Sequence, residues 1–245
     1  MLTESAVLRE PVAFLPQAYE ADPQPSLSRL FLRQPTERLD AGAALFWQGD
    51  RATHLFELTE GALRIARVLS DGRRVITGFL FPGDLVGVSL RDQYLYTAEA
   101  IGPSKVRRLA RRRFDDAVNE DPALRPLLFA HLCDEMAAAQ DQVVLLARKS
   151  AEERVSSFLL ALVRRMSRGA APAKVVDLPM TRLDMADYLG LTIETVSRVM
   201  TRLQAGGVIA QTGRRAVAVL RPTRLAALAA DDEEDMDDGP SLHAH

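Results

Sequence analysis

Residues 180–209 read MTRLDMADYLGLTIETVSRVMTRLQAGGVI, two short helical patterns meeting at Gly190 and closed by Gly206-Gly207. In the second pattern Glu194, Ser197 and Arg198 fall at about 0°, 300° and 40° around a helix, and so share one face. Val196, Val199, Met200 and Leu203 fall at roughly 140–240°, the opposite face. One side can anchor on a domain while the other presents an acceptor, a hydroxyl and a guanidinium. Thr181 with Asp184 three residues on has the spacing of a capping box, and Thr192 is placed to cap the second helix. Glu194 then stands in the first turn, where the helix dipole favours a carboxylate. Ala186 is small where a second helix would cross.

A helix of this design fits the DNA major groove. Arg198 can donate to guanine O6 and N7, Glu194 can accept from a cytosine amino group, and Ser197 can meet either kind of base. Thr181, Arg182, Thr192, Thr195, Arg202, Arg214 and Arg215 are candidates for the phosphate backbone. The competing reading is a helical hairpin with a solvated polar face. Charge separates the two. Over residues 148–224 fourteen Lys and Arg stand against six Asp and Glu, although the whole chain carries a net charge of −2. Local basicity of this kind is what phosphate contacts require. Seven acids in residues 231–238 (DDEEDMDD) account for the difference and read as a solubilising tail, with competition for the DNA-binding surface as the alternative.

The rest of the 245 residues supplies two domains' worth of chain. Residues 1–30, with Pro11, Pro16, Pro23 and Pro25, read as an N-terminal arm. Residues 31–120 carry short strand-like runs between glycines, with Ser70-Asp71-Gly72 as a hairpin turn, and predict an antiparallel roll. Residues 121–148 predict a long helix, with Asp121 capping and Pro122 at the first helical position. Leu128, Leu132, Met136, Ala139, Val143 and Leu146 give it more apolar surface than one roll covers, so a two-stranded dimer interface is preferred over burial within one subunit. Residues 149–228 predict a winged helix-turn-helix, with a helix over 151–168, a loop over 169–174, a strand over 175–178 and a basic wing at Thr212-Gly213-Arg214-Arg215. Residues 229–245 form the acidic tail, where a metal role for His243 and His245 is not expected. The class is α+β: an N-terminal double-stranded β-roll, a long dimerisation helix and a C-terminal winged helix-turn-helix.

These motifs resemble the Crp/Fnr superfamily of transcription regulators over about residues 30–225. The roll segment GAALFWQGDRATHLFELTEGALRIARVLSDGRRVITGFLFPGDLVG is similar to the family's cyclic-nucleotide-binding type, and KSAEERVSSFLLAL resembles its helix after the dimer helix. Glu194-Thr195-Val196-Ser197-Arg198 matches the E-x-x-S-R motif of the Fnr/FixK branch, where Crp has Gly at the Ser position. The resemblance implies a TTGAT half-site in an inverted repeat, double-stranded DNA and RNA polymerase as partners, and a homodimer in the bacterial cytoplasm. An activator is expected.

The departures are equally informative. Cyclic-nucleotide binders of the family place a Glu after the glycine of the G-D-x-x-G segment and an Arg later. Here Val88 follows Gly87, Tyr96-Thr97-Ala98 stands where an Arg-Ser/Thr-Ala would, and Arg91 is that loop's single arginine. No cyclic nucleotide is expected, nor an iron–sulfur cluster, since Cys133 is the one cysteine. His54 or His131 as a haem ligand, and Cys133 as a redox thiol, belong to an alternative in which a small ligand, haem or thiol oxidation gates the protein. A structural role is the expectation for all three. Near Asp141, Fnr carries an aspartate that opposes its dimer mate; Asp141 facing its copy would weaken dimerisation.

Two other functions fit the sequence less well. A ligand-binding regulatory subunit is disfavoured by the complete reading unit. An enzyme such as a β-roll metal oxygenase needs clustered ligands, and His54 is the roll's one histidine. No apolar run is long enough to span a bilayer.

Overall fold

The structure is a computed structural model that describes residues 26–89, 91–167 and 175–230. The arm before residue 26, the expected loop at 169–174 and the acidic tail from 231 lie outside the described residues. A short 3-10 turn (Leu27–Phe31) leads into eight strands: β1 (Thr36–Leu39), β2 (Ala44–Phe46), β3 (His54–Glu60), β4 (Leu63–Val68), β5 (Arg74–Leu80), β6 (Leu85–Val86), β7 (Thr97–Ala100) and β8 (Ser104–Ala110). They form two antiparallel sheets, β1-β8-β3-β6 and β2-β7-β4-β5, the expected roll. Phe46, Leu58, Leu63, Leu80, Val86 and Val106 fill the space between them. The β4–β5 hairpin turns where Gly72 adopts φ 82°, a conformation that costs a residue with a Cβ but not glycine.

Helix α1 (Arg111–Glu120) follows β8 and was not anticipated. It ends at Asp121, whose extended backbone suits a residue before proline. The long helix α2 therefore starts later than expected, spanning Leu124–Arg148 with Ala123 as N-cap. Asp121 instead closes α1, and its Oδ1 accepts the Ala123 amide at 2.9 Å. Phe114, Leu124, Leu55 and Leu109 pack together, and Leu127 and Leu128 lie against them. Leu128, expected in a dimer seam, thus faces its own roll.

The C-terminal unit comprises α3 (Ala151–Ser167), β9 (Val175–Asp177), α4 (Arg182–Leu189), α5 (Ile193–Ala205), β10 (Ile209–Gln211), β11 (Ala216–Val219) and α6 (Pro222–Ala230). β10-β11-β9 is the small sheet of a winged helix-turn-helix. α6, also not anticipated, packs on α3 and buries Leu225. Among the described residues no helix is long and apolar enough to cross a membrane.

One irregularity joins the two domains. The register between β4 and β5 slips at Ile65/Ala66, which face Gly78 and Ile76, so Thr77 is the extra residue of a bulge. The bulge reverses the alternation of side chains. Ile76, Phe79 and Phe81 then share the outer side with Phe158, Leu162, Met185 and Tyr188, while Leu80 points into the roll. Phe79, Phe158 and Tyr188 meet pairwise with ring centroids 5.3–6.0 Å apart. Roll and reading unit share one core. Phe79→Ala should cost about 3–5 kcal/mol, read as a lower urea midpoint. Trp47→Ala, at an exposed site, should change stability by no more than about 0.5 kcal/mol.

Candidate nucleic-acid interface

Helix α4 begins with a complete capping box. Thr181 Oγ1 accepts the Asp184 amide at 3.0 Å, and Asp184 Oδ2 accepts the Thr181 amide at 2.9 Å and its hydroxyl at 2.8 Å. It ends at Gly190, whose left-handed backbone (φ 62°) allows a sharp turn. Thr192 then caps α5, its hydroxyl accepting the Thr195 amide at 3.2 Å. Val196, Val199, Met200 and Leu203 are buried. That burial fixes the rotation of α5, and Glu194, Ser197 and Arg198 emerge together on its solvent side.

The electrostatics of that face are set locally. Glu194 is held below the ordinary carboxylate range by the backbone amide and the Thr192 hydroxyl, with Arg198 adding to the effect. It stays an anion and an acceptor. Arg198 Nη2 reaches Thr195 Oγ1 at 3.4 Å, a long contact that leaves the guanidinium open to a stronger partner. Thr195 is half-buried beside Thr192, their hydroxyls 3.1 Å apart. In the wing, Gly213 turns with φ 76°, and Arg214 and Arg215 are exposed beside it.

The backbone candidates do not form one uniform set. Arg202 is exposed but paired with Glu152 at 3.4 Å. A surface pair of that kind contributes about 0–1 kcal/mol, so a phosphate can compete for the arginine. Arg182 is half-buried, donates to the Met185 sulfur at 3.2 Å, and has its pKa lowered by burial. Thr181 is exposed, with its hydroxyl engaged in the cap.

On α2 the structure leaves a long apolar stripe exposed. Phe129, Met136 and Val143 recur every seven residues at 69%, 59% and 67% exposure. Ala139 is exposed and Leu132 half-buried beside them. Phe129 was missed in the sequence, although its spacing to Met136 matched the pattern. Leu146, at the edge of the stripe, touches the turn at Gly190. Asp141 sits about 160° round the helix from Val143, at 100° per residue. It is half-buried toward its own subunit, with its pKa raised by burial against the opposing pull of Lys149. Asp141 thus lies on a different side of α2 from the exposed stripe. Cys133 is a half-buried free thiol on the same helix.

In the roll, the segment that departs from the family's nucleotide-binding pattern is lined by aromatic side chains. Tyr94 stacks on Phe46 at 3.7 Å, and the Gly87 amide donates to the Tyr96 hydroxyl at 3.1 Å. A Cβ at Gly87 would lie 3.0 Å from the Tyr94 ring. Arg91 is exposed and Val88 half-buried. His54 has its pKa lowered by burial and pairs with the Thr53 hydroxyl at 2.9 Å, while His131 lies 3.4 Å from Glu135. Among the described residues no three His, Cys, Asp or Glu side chains gather as a metal-binding group.

Known proteins agree with this architecture. The Crp-like helix-turn-helix domain matches residues 153–228, and the cyclic nucleotide-binding domain matches residues 36–121. The nitrogen fixation regulation protein FixK of Bradyrhizobium diazoefficiens is 40% identical over 190 residues, spanning 78% of this chain and 80% of that protein. The transcriptional activatory protein AadR of Rhodopseudomonas palustris is 41% identical over 189 residues, 76% of this chain and 78% of AadR. The structure of FixK2 from Bradyrhizobium japonicum superposes with a TM-score of 0.73 at 35% identity, covering 80% of this chain and 98% of that one. The chain belongs to the Crp/Fnr family and is a FixK/Fnr-like DNA-binding transcription regulator, not an enzyme.

Proposed function

We propose that this chain is a homodimeric cytoplasmic transcription activator that reads a TTGAT-N4-ATCAA-like palindrome without cyclic nucleotide or iron–sulfur cluster. The observation that carries the reading is the outward face of α5, where Glu194, Ser197 and Arg198 stand together on a helix rotated into place by its buried side. Arg198 reads guanine, Glu194 accepts from cytosine, and Ser197 completes the Fnr/FixK type of contact. Arg214, Arg215 and the competable Arg202 supply phosphate contacts, which set register without reading sequence. AadR, named as an activator, supports the direction of regulation, exerted through RNA polymerase.

Independence from a nucleotide is supported by the aromatic filling of the roll. Tyr96 takes the Gly87 amide that a ligand would otherwise find free, and Phe46 and Tyr94 close the space beside it. Dimerisation is supported by the stripe of Phe129, Met136 and Val143, whose seven-residue repeat suits a second copy of the same helix. Two-fold symmetry then carries two α5 helices into successive major grooves, about 34–36 Å apart.

Fluorescence anisotropy with a TTGAT-N4-ATCAA duplex, a TGTGA-type palindrome and a scrambled duplex tests the reading at several salt concentrations. Without added ligand the first should bind tightest; equal affinity for all three defeats the assignment. Arg198→Ala should cost about 1–3 kcal/mol on the preferred duplex, whereas Arg215→Ala should weaken all duplexes alike. Phe129→Glu with Val143→Glu should convert the dimer to a monomer in sedimentation velocity, and an unchanged dimer removes the stripe from the interface.

A further inference from the structure

The roll reaches the reading unit through charge as well as through the shared core. Asp184 is almost wholly buried, and its two oxygens have different partners. Oδ2 closes the capping box on Thr181, and Oδ1 accepts Arg64 Nη1 from β4 at 2.8 Å. The other arm of the Arg64 guanidinium is held by Glu99 of β7. Arg74 of β5 lies 3.6 Å from Glu99 and 3.8 Å from both Asp184 and Asp187. Across the aromatic contact a second buried pair joins Arg165 of α3 to Asp84 of the roll, with the guanidinium 5.0 Å above the Phe81 ring.

The far end of α4 is held by other elements. Gln142 of α2 donates to the Tyr188 carbonyl at 2.9 Å, and Arg154 of α3 donates to the carbonyls of Leu189 and Leu146 at 3.0 and 2.9 Å. α4 is thus fixed at its start to the roll and at its end to the helix proposed to pair across the dimer. None of these contacts covers the outward face of α5, where Glu194, Ser197 and Arg198 remain exposed.

We infer that Arg64 is a positioning residue for DNA recognition: it makes the roll a fixed brace that holds the reading unit at the spacing a palindrome demands. The inference rests on the proposed palindromic reading. A charge pair buried between domains specifies one geometry because any displacement strands a carboxylate away from water. A single half-site needs only one reading helix, but two half-sites need both helices in register. Loosening the brace therefore adds an ordering cost to palindrome binding and none to half-site binding.

Full-length parent, Arg64→Ala, Arg64→Lys and Arg165→Met proteins are titrated against the palindrome, a half-site duplex of equal length and a palindrome with one extra spacer base pair. Arg64→Ala should bind the palindrome on the order of tenfold more weakly and the half-site within about twofold of the parent, with less discrimination against the longer spacer. Arg165→Met should shift the same ratio, and Arg64→Lys should recover part of it. In DNA-free protein, hydrogen exchange of α4 amides should rise in Arg64→Ala and fall back in Arg64→Lys. An unchanged palindrome-to-half-site ratio in both Arg64→Ala and Arg165→Met overturns the brace. So does tighter palindrome binding, which makes the contact autoinhibitory, and so does an equal loss on both duplexes, which marks a folding defect. A parent that prefers no palindrome defeats the operator reading itself; the α4 exchange rates then decide the brace separately.

Discussion

Everything on the reading face of this protein depends on the contact of Phe79 with Phe158 and Tyr188. A strand in a sandwich normally gives one face to the core and the other to water. β5 gives both faces to cores, and the bulge at Thr77 makes that possible by bringing Ile76 round to join Phe79 and Phe81. Helix α4 buries Met185, Ala186, Tyr188 and Leu189 in the same shared core. α5 packs on that core through Val196, Val199, Met200 and Leu203, and this packing decides which of its residues meet solvent. Most of the stabilisation at this contact comes from burying apolar surface, which is non-directional. The contact brings the domains together but does not by itself choose their register.

Register comes from the polar groups at the edges of that contact. Asp184 joins helix capping to domain docking because a carboxylate has two oxygens, one turned to Thr181 and the other to Arg64. Arg64 is similarly divided between Asp184 and Glu99. Such pairs are poor sources of net stability, since the desolvation of both ions offsets their attraction. They are better sources of specificity, because losing Arg64 leaves the buried Asp184 with only the more distant Arg74 to balance its charge. Exposed pairs such as Arg202 with Glu152 have the reverse character, and can be exchanged for a phosphate with little loss.

Much of this was legible in the sequence, for identifiable reasons. The helix-turn-helix is written in local rules: Thr181 with Asp184, Gly190 at a left-handed position, Thr192 before a helix with four apolar residues on one side. The roll announced itself through glycine turns such as Asp71-Gly72. Helix α1 was hidden because Arg111–Glu120 buries only Phe114 and Val118 and otherwise reads as a charge run. α6 was hidden in alanines whose stability comes from packing, chiefly on α3. Asp121 was misassigned because an Asp-Pro pair marks the end of one helix as well as the start of another. Leu128 and Phe129 could not be sorted between roll and stripe without knowing which side of α2 the roll occupies. Arg64 and Asp184 lie 120 residues apart, and no local pattern in a single chain links them.

The filled roll and the brace belong to one strand system. Tyr96 accepts the Gly87 amide at the entrance to β7, and three residues later on the same strand Glu99 grips Arg64. Between them Thr97 accepts the Gln48 amide at 2.9 Å, and the Gln48 side chain in turn accepts the Val68 amide at 3.0 Å, tying β7 to both its neighbours. A roll with an empty cradle has a strand free to shift when a ligand arrives, and that shift is what a ligand-gated regulator transmits. In this roll Phe46 packs against Tyr94 and Tyr96, and the Tyr96 hydroxyl holds the Gly87 amide. For the proposed ligand-independent regulator, the rigidity that would do without a ligand switch is the rigidity that the inferred brace for α4 requires, so the aromatic filling and the Glu99–Arg64–Asp184 chain would be two parts of one device.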